Sequence, residues 1–204
     1  MQKKPKIIIK KHRNILYTGF GDKGTTTLFH CDQGRISKSS NIIEALGSLD
    51  ELNAYIGVVK VYANEEQMKI SISTKKKLLF SDILNDIQQT LFIIQAELAG
   101  SDMTVKKKNL NDIEKIISII SDTLPPITSF TVSGGSVLSA KLDFSRTLAR
   151  RAERNIVSVL DEGYKKVGGV TIAYLNRLSS VLFAMSRYSN YLLSIPEEHP
   201  KYNK

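Results

Sequence analysis

After residue 40, apolar residues recur every three to four positions through most of the chain, the period of a helix with one buried face. In the first such segment Ile42, Leu46, Leu49, Asn53, Ile56 and Val59 follow that spacing. Asn41 stands where a cap belongs, and Glu44 sits three residues on as its capping-box partner. A second segment runs from about Lys75 to Asp102, with Leu79, Ile83, Ile87, Leu91, Ile94 and Leu98 on one stripe. A lysine-rich loop, Lys106 to Asn109, separates it from a third, Leu110 to Asp122, which Pro125-Pro126 ends. The fourth starts after Ser133-Gly134-Gly135 and runs to about Glu162. Gly168-Gly169 precedes the fifth, which ends near Leu193, before Pro196. Proline is absent from residue 6 to 124 and glycine from 58 to 99, which favours helix throughout.

The fourth segment would be about 40 Å long at about 1.5 Å per residue. Several helices of this length on short links predict an all-α fold, an antiparallel bundle of five helices. The first forty residues break the pattern. Tyr17 to Cys31 is rich in glycine and β-branched threonine and reads as extended and loop-like, as does Phe130-Thr131-Val132. There is no internal repeat and no domain boundary after residue 40. The division expected is a basic tail over 1–16, one helical domain over 17–195 and a C-terminal tail over 196–204.

Composition narrows this picture. At 204 residues and 42% hydrophobic, the chain suits one domain, two small ones at most, and excludes global disorder. The formal charge of +9 calls for an anionic partner: nucleic acid, an anionic membrane surface or a phosphorylated small molecule. Its distribution matters more. Lys3, Lys4, Lys6, Lys10, Lys11 and Arg13 supply +6 of it in a stretch without acids, which leaves +3 for the rest. Cys31 is the one cysteine, so an intrachain disulfide and a cysteine-rich zinc site are excluded, and Cys31 reads as inert. His12, His30 and His199 are the only histidines, and no HExxH or regular ligand spacing occurs. No run of 18 apolar residues predicts a membrane span. Ile7-Ile8-Ile9 is too short for a secretory core, so an intracellular, reducing compartment is expected.

Two segments carry candidate chemistry. Gly19-Phe20-Gly21-Asp22-Lys23-Gly24 matches GxGxxG, but the threonines that follow favour extended chain where a dinucleotide fold needs a helix. Kinase and Walker contexts are missing too. The backbone N–H groups of such a loop can form an anion nest beside Lys23. An ordinary hairpin is the plainer alternative. In the fourth helix Arg146, Arg150, Glu153 and Arg154 fall at i, i+4, i+7 and i+8 and share a face, with Leu142, Ala149, Ala152 and Ile156 opposite. Such a face is either solvated or meets a polyphosphate, which the planar guanidinium fork suits. Aromatic residues are not interleaved with these arginines, which argues against a nucleic-acid stacking platform.

Taken together, three segments resemble the ATP:cob(I)alamin adenosyltransferases of the PduO type. They are Thr18 to Thr26, Glu44 to Gly57, and Phe130 through Gly134-Gly135 to Arg146–Arg154 with Tyr174–Ser179 and Arg187-Tyr188. The resemblance spans about residues 17–192. It implies a five-helix bundle of ferritin-like architecture that assembles as a homotrimer, with active sites between subunits. It implies transfer of the 5′-deoxyadenosyl group of ATP to the cobalt of cob(I)alamin, with triphosphate released and Mg2+ held mainly by the phosphates. Thr18, Gly21, Asp22, Lys23, Gly24, Thr26 and Lys38 would wrap ATP, and Arg150, Arg151, Glu153, Arg154 and Asn176 would complete that site. Asp50 and Arg146 match a pair that forms an ionic contact across the interface, and Phe130 matches the aromatic beside the corrin that helps displace the lower ligand of cobalt. Two positions depart from the pattern: Gly19 stands where the family has a basic residue, and Ser133 where it has proline. The implied setting is cytoplasmic, with a reductase and an adenosylcobalamin-dependent enzyme as partners, and neither nucleic acid nor membrane. The alternative is a non-catalytic bundle that holds ATP or adenosylcobalamin as a sensor or delivery protein.

Overall fold

The computed structural model describes residues 17, 19–28, 34–73, 76–163 and 167–202, so the basic tail over 1–16, Thr18, His30 and Cys31 lie outside the described residues. Five helices carry the fold: α1 (Asn41–Glu65), α2 (Phe80–Leu98), α3 (Lys107–Thr123), α4 (Val137–Asp161) and α5 (Gly169–Leu192). Two small antiparallel pairs accompany them, β1 (Thr25–Thr26) with β2 (Ile36–Ser37), and β3 (Lys69–Ser73) with β4 (Lys76–Leu79). In the bundle α4 lies between α1 and α5, α2 packs on α1, and α3 packs on α5. None of the described helices is long and apolar enough to cross a membrane.

The helical period explains the core. On α1, Ala45, Leu49, Leu52, Ile56, Val59 and Ala63 follow in steps of four and three and are fully buried. On α4, Leu142, Ala149, Ala152 and Ile156 are fully buried as well, and the face beside them leaves Arg150 and Arg154 exposed and Arg146 half-buried. Alanines on both helices permit a close approach of their backbones. Ile42 and Leu46 are only half-buried, and Ala45 takes the core position beside them. The spacing rule weighs a large side chain above a small one, whereas packing at short range favours the small one.

Several boundaries differ from the sequence expectation, each for a local reason. Ser40, not Asn41, occupies the N-cap of α1, and its side chain makes no cap bond. Asn41 is the first helical residue and donates its amide to Glu162 at the end of α4. The second helix begins at Phe80 rather than Lys75, because Lys76–Leu79 pairs with Lys69–Ser73 as a hairpin. Ile70-Ser71-Ile72-Ser73 alternates with period two, and Ile70, 1% exposed, points into the core. That helix stops at Leu98 because Gly100 takes φ +98°. The third begins at Lys107, so the lysines expected in a loop form its first turn; Asn109 Oδ1 accepts from the Lys106 N–H at 3.2 Å and secures the start.

Between α2 and α5 sits the buried carboxylate of Glu97, 3% exposed. It accepts from Gly168 N at 2.8 Å, Thr171 Oγ1 at 2.6 Å and Thr104 Oγ1 at 3.1 Å. It therefore caps the N-terminus of α5, where the helix dipole favours negative charge. Tyr174 is buried nearby on α5, and loss of water pushes its phenol well above the usual tyrosine range.

Candidate active site

The glycine loop is built on the two-rung ladder β1–β2. Asp22 N donates to Gly19 O at 3.2 Å and Gly24 N to Gly21 O at 3.1 Å, two consecutive tight turns. Lys38 N reaches back to Gly24 O at 2.9 Å, tying the loop to the residues that lead into α1. The Lys38 side chain follows: a Cβ on Gly21 would lie 2.7 Å from its Nζ, so the ammonium rests on the space this glycine leaves. Asp22 and Lys23 are exposed, while Gly21 and Thr26 are half-buried. Arg35 binds the loop together. Its Nε donates to Thr25 Oγ1 at 2.8 Å, and its Nη2 donates to Thr25 O at 2.6 Å and to Phe20 O. Sequence reasoning assigns Arg35 no role, since an arginine ten residues from its partner matches no local spacing.

The second region is the outer face of α4. Arg146 and Arg150 line a cavity of about 390 Å³ together with Phe130, Thr131, Ser179 and Phe183. The Phe130 ring is 80% exposed. The Arg146 guanidinium lies 5.9 Å from the centre of the Phe183 ring and bonds only loosely to Asp143, at 3.4 Å. The four α4 residues carried over for ATP divide among different neighbours. Glu153 accepts from Asn176 Nδ2 at 3.0 Å, joining α4 to α5, and Arg177 extends the chain to Glu114 on α3 at 3.1 Å. Arg151 turns the other way and pairs with Glu51 on α1. Arg150 and Arg154 are exposed.

The loop that carries Phe130 meets α5 at Asn190. Asn190 Oδ1 accepts from Ser136 N at 2.9 Å, and its Nδ2 donates to Gly134 O at 2.9 Å. Gly135 has φ +94°, and a Cβ there would fall 2.6 Å from the same amide, so only glycine fits. Asn190 goes unassigned in the sequence reading. A polar residue at an otherwise buried helical position was the available signal. Among the described residues, none from the glycine loop lines the Phe130 cavity within one chain, and Asp50, exposed on α1, is not brought to Arg146 by any described contact.

Residues 16–189 match the family model for cobalamin adenosyltransferase. The chain belongs to the cobalamin adenosyltransferase family. Among its relatives is the corrinoid adenosyltransferase PduO of Citrobacter freundii, 34% identical over 183 residues, which are 86% of this chain and 50% of that one. The chain thus spans half the length of that relative. The corrinoid adenosyltransferase of Mycobacterium leprae is 32% identical over 190 residues and matches 88% of this chain and 93% of its own. Among solved structures, a phenylalanine-to-alanine variant of the PduO-type ATP:corrinoid adenosyltransferase from Lactobacillus reuteri, complexed with cobalamin and ATP, superposes with a TM-score of 0.77. It is 28% identical and covers 91% of this chain and 99% of its own.

Proposed function

We propose that this chain transfers the 5′-deoxyadenosyl group of ATP to the cobalt of cob(I)alamin and releases triphosphate. The observation that carries the reading is the cavity where Arg146 and Arg150 face the exposed ring of Phe130. An arginine wall beside an apolar wall is what a polyphosphate and a corrin ring require of adjacent surfaces. The Lactobacillus relative, complexed with both cobalamin and ATP, supports it.

In this reading the cobalt–C5′ bond forms as the bond from C5′ to triphosphate breaks. Reduced cobalamin is the nucleophile, so the chain supplies neither a nucleophile nor a general base. Its residues position the substrates and stabilise the charge of the leaving triphosphate. Lys23 and Lys38 at the glycine loop, and Arg150 and Arg154 on α4, are the cations for that task. Glu153 and Asn176, already bonded to each other, would meet the nucleotide as a unit. Magnesium arrives on the phosphates of ATP as part of the substrate. Phe130 would exclude water and the displaced lower ligand from the cobalt.

A complete site combines the glycine loop of one subunit with α4 of the next, in a homotrimer. Asp50, Ala54, Val58 and Val61 lie at i, i+4, i+8 and i+11 on one exposed face of α1, with Phe144 of α4 edge-on to Tyr55 at 4.9 Å. These exposed apolar groups suit a subunit contact in which Asp50 pairs with Arg146 of a neighbour. The reading places the enzyme in the cytoplasm, with a reductase upstream and an adenosylcobalamin-dependent enzyme downstream.

The test is anaerobic. Protein, Mg-ATP and reduced cobalamin are mixed and the cobalt spectrum is followed. The wild-type chain forms the cobalt–carbon product. Arg150→Ala, exposed and therefore neutral to folding, loses about 10²- to 10³-fold in kcat. Phe130→Ala fails when the reaction starts from cob(II)alamin with a one-electron reductant supplied. Binding of ATP and cobalamin by the wild-type chain without a cobalt–carbon product would leave a carrier or sensor instead.

A further inference from the structure

Packing of its own ring does not hold Phe130 in place, since that ring is 80% exposed. Its backbone is held instead, by the chain beyond α5. Ile195 N donates to Asn190 O at 2.9 Å and turns the segment back toward the Phe130 loop. Three consecutive residues then each secure a different point. Glu197 pairs with Arg187, which is 9% exposed and donates its Nη2 to Pro125 O at 3.0 Å. Glu198 O accepts from Val132 N at 2.8 Å. His199 Nδ1 lies 2.9 Å from Phe130 O and 2.9 Å from Ser129 Oγ.

The chemistry of that last contact is set by the tautomer of the ring. A backbone carbonyl only accepts, so the bond to Phe130 requires the hydrogen on Nδ1. With Nδ1 bare, the ring accepts from the Ser129 hydroxyl and the Phe130 carbonyl loses this partner. The same segment, Ile195 to Glu198, walls a second cavity of about 190 Å³ against Gly134, Gly135 and Asn190. The segment thus touches the Phe130 loop along its length rather than at one end.

We propose that residues 195–199 form a strap that positions Phe130 over its cavity, with His199 as the positioning residue. The proposal rests on the reading that Phe130 faces the corrin. Glu197 and Arg187 anchor the strap to the bundle, Glu198 sets its register on Val132, and His199 fixes the peptide that carries the ring. A ring held through its backbone can meet a flat corrin without being covered by its own protein. That arrangement needs a support outside the loop itself.

The experiment compares the full chain with His199→Ala, His199→Asn and Phe130→Ala. The first readout is amide hydrogen exchange over residues 129–133 without substrates. His199→Ala raises it about tenfold. His199→Asn restores the wild-type rate, because the asparagine amide donates from near the Nδ1 position. The second readout separates the substrates: His199→Ala raises KM for cobalamin about tenfold and leaves KM for ATP unchanged. Unchanged exchange in His199→Ala, or no rescue by asparagine, overturns the strap whatever Phe130 does. Raised exchange with an unchanged cobalamin KM, beside an impaired Phe130→Ala, overturns the positioning role. Full activity of Phe130→Ala from cob(II)alamin removes instead the reading of Phe130 on which the role depends.

Discussion

At Gly24 an added Cβ would meet nothing within 4 Å, whereas at Gly135 it would come within 2.6 Å of the Asn190 amide. Both residues have positive φ, +71° and +94°. The two glycine-bearing loops nevertheless use the residue differently. The loop of residues 19–24 stands on a two-rung ladder and one arginine, and most of its residues face outward. The loop of residues 127–136 is bonded to α5 through Asn190, to α4 through Ser139 Oγ, and to the C-terminal segment through Val132. Open space at Gly24 leaves its backbone accessible, and under the proposed function a ligand would approach it there; close packing at Gly135 ties the Phe130 loop to α5. One loop is shaped by the side chains that reach into it, the other by the bundle beneath it.

That contrast can be broken, and the largest effect belongs to the packed loop. Gly135→Ala combines a left-handed backbone with a clash against a buried amide, so a loss of about 2–3 kcal/mol is expected. By thermal melting this appears as a fall in Tm of about 5–10 °C. A Tm within a degree of wild type would show that the Asn190 contact yields easily and that the two loops are alike. In the open loop the effect moves from stability to binding. Gly21→Ala pushes Lys38 Nζ from the position it occupies, which raises KM for ATP about tenfold while Tm stays within about 2 °C. An unchanged KM would remove Lys38 from the nucleotide site. The smallest change is Arg35→Lys. It keeps a cation but loses the fork that holds Thr25 and Phe20 together, so KM for ATP rises about threefold in steady-state kinetics.

Much of the bundle was legible because the helical period is a local property. Ile83, Ile87, Leu91, Ile94 and Leu98 declare a buried stripe without reference to any other segment, and all are buried. The hairpin before α2 was not, although Ile70 and Ile72 alternate. Its second strand, Lys76–Leu79, has no alternation of its own and is a strand only because Lys69–Ser73 lies beside it. Capping at Asn41 failed for a related reason: the amide is engaged by Glu162, 121 residues away. Among the site residues, Arg146 and Arg150 were placed on one face by spacing alone. Arg35 and Asn190 escaped because most of their partners are backbone groups, which carry no residue identity for a sequence to show.

By itself the sequence determined that Arg150 and Arg154 of α4 are exposed, since they lie beside, and not within, the buried stripe of Leu142, Ala149, Ala152 and Ile156. It also determined, by the order of its motifs, the family to which the chain belongs. Only the tertiary structure decided that Arg151 is drawn to Glu51 while Arg150 faces the cavity, that Lys38 rests on Gly21, and that the chain beyond α5 returns to hold Phe130. The physical reason is range. A helical period is set within a few residues, whereas a hydrogen bond across tens of residues depends on how whole elements pack, which neither partner's local sequence records.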